Sequence, residues 1–462
     1  MSAIEVTDIK MPFKFHTEIH NELKKDFQKI KINNVYIDET EVEKTLNSLY
    51  KWIYSTPKNT VYRVNLLKTT VQQVIEHLNN ALKQQYVNRM PTITTFPHLS
   101  EIITVHSWDE SIKLDLLKRS KEVIVDAICG SAVLRGSHVF APGILGIPHG
   151  LNIGDEVSVF ADTVGCCRKG LLKPSEVDNN NKTFLGNGIL LQTRENIICN
   201  NGQSASGIAV HMTDVTSRLL QLNNNSVPDG WALLQNLPSI ICTHVLNPQP
   251  GEIILDMCSA PGNKCTHIST LMKGEGTLIA LERNKSKLDK LQSNCDKFSS
   301  GNVKIFCYDS TKACNKHINN SNINDGPPFK ENSFDRILLD SPCSALGQRP
   351  QLLNKITAVQ LRSYVSMQKS LFSTAVQLLK SNGILVYSTC TITIAENEGI
   401  VSWALKKYPC LKLKSIKDQL DLKTFTHTGY SIDGLTENES KCLLRIGPEQ
   451  DSIGFFVACF TK

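Results

Sequence analysis

The stretch IILDMCSAPGNK, residues 253–264, reads as a short apolar strand that stops on Asp256, a tight turn built on Pro261 and Gly262, and a helix opening near Thr266. The same pattern, an apolar run closed by a polar residue, recurs four times. TLIALE ends at Glu282, VKIFCYD at Asp309, FDRILLD at Asp340 and GILVYSTC at Cys390. Aliphatic and β-branched runs of this length, separated by helical stretches, make a parallel sheet with helices on both faces. The fold class is therefore α/β, Rossmann-like. Ligands of such sheets sit beyond the carboxyl ends of the strands, so the polar strand ends mark the expected site.

The whole chain sets broader limits. Its 462 residues can hold two or three cores, and 41% hydrophobic with 20% charged residues is globular rather than disordered composition. Fifty Lys and Arg against 44 Asp and Glu leave a net charge of +6, which permits a nucleic-acid partner without requiring one. No apolar run approaches the roughly 18 residues of a membrane span. Glu5, Asp8 and Lys10 stand where a signal peptide needs its apolar core. The expectation is a cytoplasmic protein, monomeric and without membrane contact. Fifteen cysteines are scattered with no C-x-x-C pair, which supports neither a disulfide framework nor a zinc ribbon. No metal is expected, and most thiols read as small buried hydrophobes.

Three regions follow from texture. Residues 1–118 are mainly helical with some strand. Residues 15–30 carry apolar residues at helical spacing, TVYRVNLL (60–67) reads as a strand, and Thr70 opens a helix, an order that makes a small α/β layer. In residues 119–213 the runs GSAVLRGSHVFAPGI, GDEVSVFAD and KTFLGNGIL alternate with glycine turns and predict a small β-barrel. DNNNK (178–182) and LNNNSVP (222–228) read as loop and linker. Residues 214–462 form the sheet domain, with 315–332 as an exposed insertion and DSIGFFVACF (451–460) as a closing antiparallel strand at the sheet edge.

The loop Cys258, Ser259, Ala260, Pro261, Gly262, Asn263, Lys264 has neither the G-x-x-x-x-G-K-[ST] spacing of a phosphate cradle nor the G-x-G-x-x-G of a dinucleotide fold. What it offers is a bend that brings backbone amides close to a ligand. Glu282 ends the next strand, near the roughly 20-residue spacing at which an acid accepts hydrogen bonds from a ribose diol. An adenosyl group without phosphates fits, S-adenosyl-L-methionine above all, with Asp309 placed to meet the adenine amine. The competing reading makes Asp256 and Glu282 helix caps or solvated loop residues.

Two thiols stand beside that pocket, in Asp340-Ser-Pro-Cys343 and Ser388-Thr-Cys390. Carbon 5 of cytosine is a poor nucleophile, and methylating it needs a thiolate to add first at carbon 6. A thiol with a pKa of ~8.5 is mostly protonated at neutral pH, so Lys264 or a helix N-terminus is expected nearby. Asp340 would hold the edge of the pyrimidine. A cysteine after the proline, where methylation of an amino group favours an aromatic residue, argues for carbon as the acceptor. From position alone, the Pro-Cys pair makes Cys343 the first candidate for the attacking thiol.

DMCSAPGNK, LLDSPCSA, GQRP and YSTCTITIAENE resemble the motifs of the Sun-domain RNA cytosine-5 methyltransferases. LRGSHVFAPGI and FLGNGI resemble a PUA RNA-binding domain placed before the catalytic core, as in the transfer-RNA branch of that family. The resemblance covers nearly the whole chain, least in the first forty residues. It implies that Cys390 attacks and Cys343 helps release the product. It also implies that residues 258–264 with Glu282, Asp309 and Asp340 hold the methyl donor, and that the substrate is a tRNA cytosine in the acceptor stem near the 3′ CCA end. Arg135, Arg168 and Lys169, in or beside turns of the barrel, would meet phosphates, and Phe140 would stack on a base. The target base must leave its stack to reach a thiol. The chain departs from the family pattern at Asn263 and Ala345, which replace glycines, at Ser259 and Ser341, which replace alanines, and at Glu282, often Asp. A protein of another class, an RNA-binding scaffold with weak or lost activity, shares the same motifs. Methylation of a base amino group is the enzymatic rival.

Overall fold

Consecutive residues of a strand point to opposite faces of a sheet, and the central strands use this to cover both. Ile254, Leu278, Leu338 and Val386 face one core with the helices Leu237–Leu246, Asn263–Leu271 and Leu288–Lys297. Leu255, Ile279, Leu339 and Tyr387 face a second core with Ala358–Leu378 and Glu398–Lys407. The computed structural model describes residues 17–86, 89–96, 98–198, 205–317, 322–416 and 427–462.

Five strands lie side by side and parallel in the order Val303–Cys307, Thr277–Glu282, Ile253–Asp256, Phe334–Asp340, Leu379–Thr389. From Ile253–Asp256 the chain winds outward to one side, then returns and winds to the other from Phe334–Asp340. Connections that diverge from adjacent strands leave a crevice at their carboxyl ends. Phe455–Thr461 continues the sheet antiparallel to Leu379–Thr389, as expected, but not at the edge. Leu444–Ile446 pairs with its far side and His427–Thr428 lies beyond. Six consecutive residues, Phe455 to Phe460, are buried, so both faces of the strand are covered, and Leu444–Ile446 meets the backbone groups on its far side.

The amino-terminal layer is a four-stranded antiparallel sheet in the order Ala232–Leu234, Asn59–Val64, Leu99–His106, Ile93–Phe96. The helix Val71–Gln85 packs Val74, Leu78 and Leu82 on it, with Thr70 and Gln73 closing a capping box at its start. The strand expected over 60–67 stops at Val64, where Asn65 turns the chain by accepting from the Leu67 N–H. Ala232–Leu234, expected within the sheet domain, instead supplies the edge of this layer.

Between the two lies a six-stranded sheet in the order Val139–Phe140, Ile208–Val215, Lys182–Leu190, Glu156–Asp162, Glu122–Val125, Ile144–Gly146. Its two end strands are joined by the short turn Ala141–Gly143, so the sheet curls back on itself around Val123, Val159, Leu185 and Val210.

The helices Thr17–Phe27 and Glu39–Tyr54 close over the half that holds the parallel sheet, packing Leu23, Leu46 and Ile53 against Leu346, Ile392 and Ile394. The insertion expected at 315–332 is described except at 318–321, and it is anchored rather than free. Phe329 is buried against Phe334 and its N–H bonds to Ala313. Glu5, Asp8 and Lys10 lie outside the described residues. Among the described residues no helix is long and apolar enough to cross a membrane.

Phe372 sits at the centre of the second core, its ring edge-on to Tyr387, Trp403 and Phe460. Phe372→Ala should lower the unfolding free energy by about 3–5 kcal/mol, measured by chemical denaturation. A loss under about 1 kcal/mol would contradict this packing.

Candidate active site

The loop after Ile253–Asp256 is shaped by its own backbone. The Ser259 N–H donates to Leu281 O (3.0 Å), the Gly262 N–H to Ser259 O (2.8 Å), and Asn294 Nδ2 to Pro261 O (2.8 Å). Gly262 carries φ +102°, and a Cβ there would meet Leu291 Cδ1 at 2.9 Å, so only glycine suits the position. The helix begins at Asn263, three residues before the expected Thr266. Asn263 is its first residue, outside the left-handed region, so its substitution for glycine leaves the loop closed.

Of the polar strand ends, Asp256 does not face the crevice. It is 1% exposed, accepts from the Cys258 N–H and the Cys265 thiol (3.0 Å), and burial pushes it up to about 6. It is a buried brace of the loop, neither a ligand contact nor the helix cap or solvated loop acid weighed against one. Glu282 and Asp309 are half-buried at neighbouring strand ends. Glu282 accepts from the Asn284 N–H (2.7 Å), and Asp309 from the Thr311 hydroxyl (2.7 Å) and N–H (3.1 Å). Burial pushes the Asp309 carboxyl up, but these hydrogen bonds bring it below its ordinary value.

Asp340 and Ser388 are direct neighbours across the parallel pair, and the Ser388 hydroxyl donates to Asp340 Oδ1 (2.7 Å). Lys264 Nζ donates to Asp340 Oδ2 (2.6 Å) and lies over the Phe455 ring at 5.5 Å. Burial disfavours the ammonium, but Asp340 outweighs it and holds Lys264 above its ordinary pKa. The lysine expected beside a thiol is thus engaged by the carboxylate.

Activation of the thiols comes from each other. Cys343 and Cys390 stand with their sulfurs 3.5 Å apart. The hydrogen bond between them holds Cys390 below the ordinary thiol value despite burial, and a contact from the Gln348 side chain and the charge of Lys264 add to it. The same hydrogen bond, with burial, pushes Cys343 well above. This polarity favours charge on Cys390 over Cys343, the order opposite to the preference drawn from the Pro-Cys pair alone. Cys258, half-buried, is also pushed well above its usual value by burial.

Sequence reading missed three groups: Gln348, Ser388 and the buried Glu396 below the thiol loops. Their only signal was proximity to GQRP, the TC pair and AENE. Ala345, another residue in place of glycine, takes φ +55° directly after the Cys343 loop.

The residues expected to meet RNA stand on or beside the six-stranded sheet. Phe140 is 47% exposed, and Arg168 and Lys169 are exposed in the loop beside Ile144–Gly146. Arg135, exposed at the end of the helix Ala127–Leu134, shares the wall of a cavity of about 520 Å³ with His106, Asn236, Asn263 and Arg349.

The family model described as 16S rRNA methyltransferase RsmB/F matches residues 243–461. The chain is 38% identical to a tRNA (cytosine(72)-C(5))-methyltransferase NSUN6 of Homo sapiens, covering 96% of this chain and 97% of that one. It is 28% identical to a tRNA (cytosine(72)-C(5))-methyltransferase of Pyrococcus horikoshii, covering 80% and 84%. Among solved structures, NSun6 from Pyrococcus horikoshii with SFG matches at a TM-score of 0.69 and 25% identity, covering 96% of this chain and 97% of that chain.

Alkylation of Cys390 by iodoacetamide, read by peptide mass spectrometry from about pH 6 to 10, is expected to have its midpoint below that of an ordinary thiol. Cys343→Ala removes the hydrogen-bond partner and should move that midpoint upward. An unmoved midpoint would contradict this polarity.

Proposed function

The chain belongs to the RsmB/F, or Sun-domain, family of RNA cytosine-5 methyltransferases, and on that premise we propose that it methylates carbon 5 of a tRNA cytosine in the acceptor stem near the 3′ CCA end. The methyl donor is S-adenosyl-L-methionine. The observation that carries the reading is the pair of sulfurs 3.5 Å apart, polarised so that one is the nucleophile and the other holds a proton.

Residues 258–264 offer a bent backbone without a phosphate cradle, and Glu282 and Asp309 stand half-buried at the next two strand ends. This donor set suits an uncharged ribose and an adenine rather than a nucleotide phosphate. The donor supplies an electrophilic methyl carbon on a sulfonium. Asp340, fixed between Lys264 and Ser388, presents a rigid carboxylate to the polar edge of the flipped base. The Cys390 thiolate adds to carbon 6, and the displaced electron pair makes carbon 5 the nucleophile toward the methyl group. With the charge of Cys390 consumed in the carbon–sulfur bond, Cys343 no longer donates to it and loses its proton to water. As a thiolate, Cys343 then takes the proton from carbon 5. The electron pair of that C–H bond restores the 5,6 double bond, and the carbon–sulfur bond breaks to return the Cys390 thiolate.

We assign residues 1–118 to an amino-terminal helical and α/β region, 119–213 to a PUA-like RNA-binding domain and 214–462 to the methyltransferase domain. The curled sheet supports the second assignment by its size and its exposed Phe140, Arg168 and Lys169. The cavity reaching from Arg135 to Asn263 supports a single-stranded path between that domain and the donor loop. A cytoplasmic monomer that uses no metal completes the reading.

Incubated with tRNA and the methyl donor, Cys343→Ala should accumulate a protein–RNA adduct that survives denaturing gels, and Cys390→Ala should form none. Neither variant should turn over. The reverse pattern would overturn the assignment of roles, and tRNA binding without label transfer by the unmodified protein would leave a scaffold.

A further inference from the structure

Glu396 has no solvent exposure. A buried carboxylate is costly unless its lone pairs are met, and here four neutral donors meet it. Oε2 accepts from the Ser344 N–H (2.9 Å) and Gln368 Nε2 (3.0 Å), and Oε1 from the Ser344 hydroxyl (2.5 Å) and the Thr393 hydroxyl (3.0 Å). The mechanism above makes no use of this group.

Its partners bracket Cys343. Ser344 follows the thiol directly, and Gln368 Nε2 also donates to the carbonyl of Pro342, the residue before it, at 3.0 Å. The next residue, Ala345, is left-handed at φ +55°, a conformation that costs a Cβ-bearing residue about 1 kcal/mol or more and persists only where its surroundings hold it. Glu396 is itself fixed from behind. Tyr387 Oη donates to its carbonyl (2.6 Å), and Asp26, on the amino-terminal helix, accepts from the N–H groups of Ile394 (2.6 Å) and Ala395 (2.9 Å). Glu396, directly at Ser344 and through Gln368 at Pro342, thus ties the loop after Cys390 to both neighbours of Cys343.

We propose that Glu396 is a positioning residue that sets Cys343 against carbon 5 of the adduct and so governs release of the methylated RNA. This deepens the proposed function and rests on its assignment of roles. Shape, rather than charge, is the contribution. An amide at this position can accept from the Ser344 N–H and Gln368 through its oxygen, while the hydroxyls of Ser344 and Thr393 turn to accept from its NH2.

Adduct formation and product release are measured separately in single-turnover assays with the full chain, tRNA and labelled donor. Glu396→Ala should slow release by about tenfold to a hundredfold, the effect of a thiol displaced by about 1 Å. Adduct formation should change by less than about threefold, so that adduct accumulates. Glu396→Gln should restore release. Equal slowing of both steps, no accumulation, or a Gln variant as defective as Ala would overturn the proposal. Should Glu396→Ala fail to fold, Ser344→Ala removes one of the four donors and must show the same bias toward slow release. Cys343→Ala run alongside separates the failures: if it accumulates no adduct, the assignment of thiol roles falls, and if it does while Glu396→Ala does not, only the role of Glu396 falls.

Discussion

Two sulfur atoms in hydrogen-bond contact at 3.5 Å are the constraint to which the rest of the catalytic half is fitted. Each sulfur follows the carboxyl end of a strand, and the pairing of Phe334–Asp340 with Leu379–Thr389 places Asp340 beside Ser388. A slip of one residue in that register would turn every core side chain to the other face. The same pairing therefore fixes the thiols, the carboxylate between Lys264 and Ser388, and both hydrophobic cores. A hydrogen bond donated to a thiolate stabilises the charged form, and at Cys390 the charge of Lys264 acts in the same direction while its ammonium orients Asp340.

The amino-terminal half takes part in this arrangement although the family model does not reach it. Arg63, fully buried in the small sheet, donates to Gln235, to the Thr266 hydroxyl (2.8 Å) and to the Asn263 carbonyl (3.4 Å), tying that layer to the first turn of the donor-loop helix. Arg349 of the GQRP motif donates to Thr56 O (2.7 Å) and Asp451 Oδ1 (3.1 Å), joining the end of an amino-terminal helix to the loop before the closing strand. Beside Arg63, Glu101 is hydrogen-bonded to His244 and lies 3.5 Å from His267, another contact between the small sheet and the helices under the parallel sheet. Buried charged groups of this kind are costly to break once formed, so the layers act as one support for the loops.

Much of the scaffold was legible in the sequence because it rests on periodicity. Apolar runs such as TLIALE and FDRILLD announce strands, and where they stop is where the polar residues gather. The failures have physical causes. The closing strand reads like an edge strand, but its six buried residues are covered on both faces and Leu444–Ile446 pairs with its far side. Asp256 reads like its counterparts at the other strand ends, but its turn toward Cys258 and Cys265 depends on a loop conformation that spacing does not encode. The order of the two thiols could not be read from position, because it depends on a contact between sulfurs far apart in the chain. Glu396 was invisible for a similar reason: its partners Ser344 and Gln368 are distant in sequence and meet only in the folded core.

The most direct test of the central claim uses the unmodified protein and a tRNA carrying 5-fluorocytosine at the target position. Fluorine cannot leave carbon 5 as a proton does, so the adduct should persist after methyl transfer, and peptide mass spectrometry should find the methylated nucleotide on Cys390. A nucleotide on Cys343, or methylation with no covalent intermediate, would contradict the account.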